Sequence, residues 1–176
     1  VASFFLVAEQ DCTINFYKDT IEDDEVSSNA LLESFAWTPP PEDLKGLVVM
    51  WNGIIAGWRE NELWMSEPYR PHAWPASYTL TMEYPIVGLG VSGQTLVVCT
   101  VGYPAVVSGA LPEHMGTAKV AVFEPCVSRG SILSSDAGVL FVSHNGLIAV
   151  TQKGATNITK DLVTRIDGSS IPRRQS

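Results

Sequence analysis

Three histidines, His72, His114 and His144, and the acid Asp136 are the side chains of this chain best placed by type for proton transfer or metal ligation. An enzyme built on them would use Asp136, His144 and their neighbours, yet no convergent acid, base and nucleophile can be picked out. His72 and His114 stand 42 residues apart, a spacing that returns below as the period of a repeat. They therefore read as equivalent positions on neighbouring repeats, with structural or surface roles. Gly88-Leu89-Gly90-Val91-Ser92-Gly93 matches GxGxxG in form, but that motif grips pyrophosphate only where a strand passes into a helix, and here a second strand follows. Its glycines are expected to serve a tight strand turn. GxSxG, P-loop, HExxH and EF-hand signatures are absent, so no catalytic residue, cofactor or metal is assigned. Cys12, Cys99 and Cys126 are odd in number and lack CxxC spacing, and Cys99 lies in the apolar run Leu96-Val97-Val98-Cys99. They read as buried free thiols.

The stretch from Glu62 to Pro75 holds Trp64, Tyr69 and Trp74 among Pro68, Pro71 and Pro75. Such density makes either a rigid connector that pins one repeat to the next or a surface that stacks on carbohydrate or protein. Its equivalent one repeat on, Leu111-Pro112-Glu113-His114, keeps the loop character without the aromatics, which favours the connector. Trp64, Tyr69, Arg70, His72 and Trp74 are the candidate assembly or binding residues, and a stacking surface would add Trp58. The acidic run Glu22-Asp23-Asp24-Glu25 lacks the ligand alternation and glycine turn of a calcium loop and reads as a solvated insertion over residues 17–34. Asn157-Ile158-Thr159 is a glycosylation acceptor only in a eukaryotic secreted protein, a setting nothing else here supports.

Positioning these residues is a matter of strands. The 176 residues are 45% hydrophobic and 17% charged, enough for one sizeable core. No run approaches the ~20 apolar residues of a membrane-spanning helix. The chain opens on Val1 rather than Met and lacks the positive flank of a signal peptide, so it reads as a piece of something longer. A net charge of -8 disfavours tight or sequence-specific nucleic-acid binding.

Helical periodicity is nearly absent, and short runs of Val, Ile, Leu, Phe and Trp alternate with Gly, Pro and Asn. Four of them superimpose as hairpins, at residues 4–16, 54–66, 96–108 and 140–152, with offsets of 50, 42 and 44. Further strands recur around them: Tyr78 to Tyr84 before Pro85, Ala118 to Glu124 before Pro125, and Phe35 to Thr38 before Pro39. Leading strands at Leu47 to Trp51, Ile86 to Val91 and Ser131 to Ser134 each enter a hairpin through a turn. The unit is four strands in ~40–45 residues, the size of a propeller blade. Consecutive apolar positions, as in Val139-Leu140-Phe141-Val142, require sheets covered on both faces. The expectation is one all-β module over residues 1–176, β-propeller-like, with about four antiparallel four-stranded blades and a C-terminal tail at 164–176. A β-sandwich or barrel is the alternative.

Four patterns within residues 46–160, about two-thirds of the chain, carry a resemblance. They are Ser66-Glu67-Pro68-Tyr69-Arg70-Pro71-His72-Ala73-Trp74-Pro75, Tyr84-Pro85-Ile86-Val87-Gly88 with Gly93-Gln94-Thr95-Leu96-Val97-Val98, Pro125-Cys126-Val127-Ser128, and Asn145-Gly146-Leu147. In these the chain resembles bacteriophage virion structural proteins associated with the tail. The resemblance implies a virion component like the β-propeller tail nozzle and hub proteins, which form homo-oligomeric rings around the DNA exit channel and contact other tail proteins. WD40 and kelch signatures are lacking. The first 45 residues and the tail from Thr164 match the pattern poorly. An acidic ring suits DNA that passes transiently, since each phosphate neutralised by Lys or Arg slows release. The rival expectation is a propeller-type binding module for a host glycan or another tail protein.

Overall fold

The computed structural model describes residues 5–31, 37–151 and 153–160. The chain divides into two compact units, Val1–Thr38 and Pro39–Ser176. Residues 4, 35, 36 and 152 of the expected strands and the 164–176 tail lie outside the described residues.

The first unit corrects the expected hairpin at 4–16: its described residues 5–16 contain no paired strand. A single bridge joins Phe5 to Leu31. The Asp11 carboxylate accepts from the Thr13 amide at 2.9 Å and from its hydroxyl at 2.7 Å, closing a local turn. Ile14 and Phe16, expected in a second strand, lie exposed. An apolar run becomes a strand only where a neighbour pairs and covers it. The acidic insertion is solvated as expected over residues 17–31, with one helical turn, α1 (Asp23–Val26), whose acids sit at the positive end of the turn.

Among its described residues the second unit is all-β apart from three 3-10 turns, at Ala76–Tyr78, Pro112–His114 and Arg129–Ser131. Its twelve strands form three antiparallel sheets, each a meander of four successive strands. Sheet 1 is β1 (Lys45–Val49), β2 (Ile55–Arg59), β3 (Glu62–Met65) and β4 (Leu80–Thr81). Sheet 2 is β5 (Ile86–Ser92), β6 (Thr95–Thr100), β7 (Ala105–Ser108) and β8 (Gly116–Lys119). Sheet 3 is β9 (Leu133–Ser135), β10 (Gly138–Ser143), β11 (Gly146–Thr151) and β12 (Gly154–Asn157). Three of the four expected hairpins are thus present, and the described residues hold three sheets where about four were expected. None closes into a barrel.

Turn chemistry sets the registers. Arg59 pairs with Glu62 across Glu60-Asn61, with Glu60 at φ 52, and Ser92 pairs with Thr95 across Gly93-Gln94, with Gly93 at φ 53. The expected fourth strands at 78–84 and 118–124 are shorter than predicted, because Tyr78 enters a 3-10 turn and the chain leaves the ladder after Lys119.

The sheets stack with sheet 2 in the middle. All six residues of β6 are buried. Leu96 and Val98 face sheet 1 in a core with Ile54, Trp58, Leu63 and Met65. Val97 and Cys99 face sheet 3 in a second core with Val139, Phe141, Ile148 and Val150. This double coverage is the physical reason for the unbroken apolar run. The close backbone approaches between sheets run through β5, which meets β1 and β2 on one side and β9 and β10 on the other. Glycine makes the second approach possible. A Cβ at Gly90 would stand 2.5 Å from Val139 Cγ1, and one at Gly88 would stand 2.5 Å from Ile132 Cδ1. The GxGxxG glycines therefore divide their work: Gly93 turns the chain, while Gly88 and Gly90 admit sheet 3.

Candidate assembly surface

The proline-aromatic segment lies in the connection from β3 to β4 of sheet 1. The Glu67 amide donates to the Ala73 carbonyl at 2.9 Å and the Ala73 amide to the Arg70 carbonyl at 3.1 Å, making a compact knot. Tyr69 is held at φ 59, with its amide donating to the Gly53 carbonyl at 2.9 Å and its ring lying where a Gly53 Cβ would fall. The tyrosine is 80% exposed, and Arg70 and His72 are exposed beside it in sequence. Trp74 is the reverse: it is 1% exposed, its indole N–H donating to the Pro71 carbonyl at 2.8 Å. Trp58 is likewise buried in the first core, with the Arg129 guanidinium 5.3 Å from its ring centroid. Two of the four aromatics expected to form a stacking surface are thus interior, which corrects that expectation for Trp58 and Trp74.

Beside their shared core, sheets 1 and 2 are bridged by hydrogen bonds at Tyr78. Its hydroxyl lies 2.8 Å from Glu67 Oε1 and 3.2 Å from Glu113 Oε1, and burial followed by these two carboxylates raises its pKa well above the ordinary tyrosine value.

Trp64 faces away from Leu63 and Met65, onto the outer face of sheet 1. Its indole N–H donates to Glu62 Oε2 at 3.0 Å, and Arg59 bonds the same oxygen at 2.7 Å while its guanidinium lies 5.6 Å from the Trp64 ring centroid. Hydrogen bonds from Arg59 and then Trp64 hold the Glu62 carboxyl below its usual range. Gly57 pairs with Trp64, and Val49 with Ile55, so Trp64 shares its face with Leu47, Val49 and Ile55. Leu47 is 62% exposed and Val49 68%. The other end of the stack is similar. Leu140 pairs with both Leu133 and Ala149, and Val142 with Leu147, all on the face of sheet 3 opposite Val139 and Phe141. Leu133 and Val142 are exposed there. Both ends of the stack therefore show an outer sheet face with exposed apolar side chains, Leu44 lying over Gly57 at the sheet 1 end.

His72 and His114 occupy equivalent places, each between the third and fourth strands of consecutive sheets. Asp136 and His144 sit in the turns at opposite ends of β10 and are not brought together. Cys99 and Cys126 are buried, whereas Cys12 is exposed, a correction for that residue. Asn157 of the sequon accepts from the Thr159 amide at 3.0 Å and donates to the Asn145 carbonyl at 2.8 Å, so its side chain closes a turn. Among the described residues no group of three His, Cys, Asp or Glu could hold a metal ion, and no helix is long and apolar enough to cross a membrane.

One cluster escaped the sequence reading. Tyr84, Tyr103 and Phe123 form a row, with ring centroids 6.0 Å and 5.1 Å apart. Lys119 places its ammonium 3.8 Å from the Tyr103 centroid and 2.7 Å from Glu83 Oε2. The available signal was proline: Tyr84 and Tyr103 directly precede Pro85 and Pro104, and Phe123 stands two residues before Pro125.

No protein family matches the chain, and no curated protein does. Among solved structures the chain is similar to PorZ, an essential bacterial surface component of the type-IX secretion system of Porphyromonas gingivalis, with 15% identity and a TM-score of 0.48. The likeness covers 75% of this chain and 17% of that one, and at this level it carries no argument about function.

Proposed function

We propose that this chain is a non-enzymatic structural component of a bacteriophage tail, a nozzle- or hub-like ring protein around the DNA exit channel of the virion. The three sheets are blades of a propeller-like arrangement, with their first strands converging through β5. The observation that carries the reading is the exposed apolar side chains on the outer sheet faces, Leu47 and Val49 at one end of the stack and Leu133 and Val142 at the other. Inside the chain, such faces mate twice, sheet 1 with sheet 2 and sheet 2 with sheet 3. A leading face on one copy and a trailing face on the next make a heterologous interface, which closes into a ring when the rotation allows. Support also comes from the resemblance in residues 66–75 and from the net charge of -8, which keeps passing DNA from sticking.

Multi-angle light scattering on the purified chain, with cryo-EM of the particle, tests this. A discrete oligomer and a rotationally symmetric ring on the tail axis are expected. A monomer at micromolar concentration, or a peripheral spike, overturns it. The second reading, a module that binds a host glycan or another tail protein, draws on the Tyr84, Tyr103 and Phe123 row. A glycan array separates the two: a ring protein is blank, and a glycan-binding module gives signal that Phe123→Ala abolishes.

A further inference from the structure

Cys126 is carried to the seam between sheets 2 and 3 by the backbone on both sides. Its amide donates to the Thr100 carbonyl at the end of β6 at 2.9 Å, it bridges Ser143 at the end of β10, and the Val127 amide donates to the Val142 carbonyl at 3.0 Å. Cys99, next to Thr100 on β6, points into the same core. Both side chains are buried in that one core, and the Thr100 carbonyl that accepts from the Cys126 amide belongs to the residue directly after Cys99. Cys126 Sγ also lies 3.4 Å from the Ser128 carbonyl and 4.0 Å from Ser131 Oγ.

We propose that Cys99 and Cys126 are an oxidisable pair, forming an intramolecular disulfide that staples sheet 2 to sheet 3 when the protein meets a small-molecule disulfide. The two sulfurs differ in readiness. The Cys99 thiol, first, and hydrogen bonds at Ser128 and Ser131 lower the Cys126 pKa to about 7 against the effect of burial, while its contact with Cys126 and then burial hold Cys99 well above the ordinary value. Cys126, at 4% exposure against none for Cys99, is thus the attacking group. Its thiolate bonds to one sulfur of the oxidant and expels a thiolate. Cys99 then gives up its proton and attacks Cys126 Sγ in the mixed disulfide, expelling the second thiolate. Two cysteine thiols and one small disulfide become one protein disulfide and two small thiols, with two electrons passing to the oxidant. Reducing cytosol keeps the pair open, and an oxidising exterior closes it. The inference is independent of the role proposed above.

The test equilibrates the Cys12→Ser chain with oxidised glutathione below its melting temperature. Intact mass should fall by about 2 Da relative to the reduced chain, the mass of the two hydrogens lost in the exchange. Thiol titration after unfolding should drop from two to none, and a non-reducing digest should yield a Cys99–Cys126 linked peptide. The melting temperature should rise by roughly 5–10 °C over the reduced form, from loop closure across 27 residues. That rise should be absent in Cys99→Ala, which tests the staple separately from any general effect of the oxidant. Two titratable thiols after equilibration, or a stable glutathione adduct on Cys126 without ring closure, overturns the proposal.

Discussion

Tyr78 shows how much a single side chain can carry across a seam. One phenolic proton faces two carboxylates from different sheets, so the neutral hydroxyl is part of the junction. Because the folded-state pKa is raised above the unfolded value of about 10, its contribution to stability is complete below that pH and is lost as pH rises above it. Tyr78→Phe should cost roughly 1 kcal/mol at pH 8. In urea melts the gap between wild type and variant should narrow at about pH 11, and a constant gap would disprove the linkage. Glu124 is a second case, a buried carboxylate whose Oε2 accepts from the Ser143 hydroxyl at 2.6 Å and from Asn145 Nδ2 at 3.2 Å. Glu124→Ala leaves the buried Ser143 hydroxyl without its acceptor and should destabilise by about 1–3 kcal/mol in the same assay. Neither role was legible in the sequence. Glu113 stands 35 residues from Tyr78 and Ser143 stands 19 from Glu124, in other turns and strands, and no local pattern encodes such distances.

At the scale of elements, turns and leading strands were read well because their causes are local. In the β2–β3 and β5–β6 turns a residue at positive φ, Glu60 or Gly93, sits between two apolar runs, and that signal spans only a few residues. The glycines of β5 mark the boundary of that legibility. Gly93→Ala meets no atom within 4 Å but strains a residue at φ 53, and should cost roughly 1–2 kcal/mol. Gly90→Ala sets a Cβ against Val139 on the neighbouring sheet and should cost about 1–3 kcal/mol through overpacking. A Gly90→Ala, Val139→Ala double variant, measured by urea denaturation, should then recover part of the loss, whereas Gly93→Ala and Val139→Ala should simply add. Additivity in both pairs would mean that Gly90 is not the point where the sheets approach.

For the whole molecule the decisive contrast lies between the middle of the stack and its ends. Val98 and Val49 are both strand valines, but Val98 sits between sheets 1 and 2 with no exposure and Val49 looks outward. Val98→Asp buries a charge without a partner and should prevent folding, seen as loss of a cooperative melt. Val49→Glu should leave the melting transition within about 0.5 kcal/mol of wild type while lowering the mass of the assembly in light scattering. A variant that melts normally and assembles unchanged would remove the sheet 1 face from the interface.

Strand and turn propensities, the period of about 42 residues and the doubly covered β6 were determined by the sequence alone, because each rests on side-chain type and spacing along a few residues. Only the tertiary structure decided that residues 5–16 form no hairpin, that Trp58 and Trp74 are interior while Trp64 faces outward, and that Cys99 and Cys126 share one core. Burial and pairing depend on what lies across a seam. A strand carries the same apolar signature whether its far face meets another sheet, as in β6, or leaves its side chains exposed, as Leu47 and Val49 are in β1.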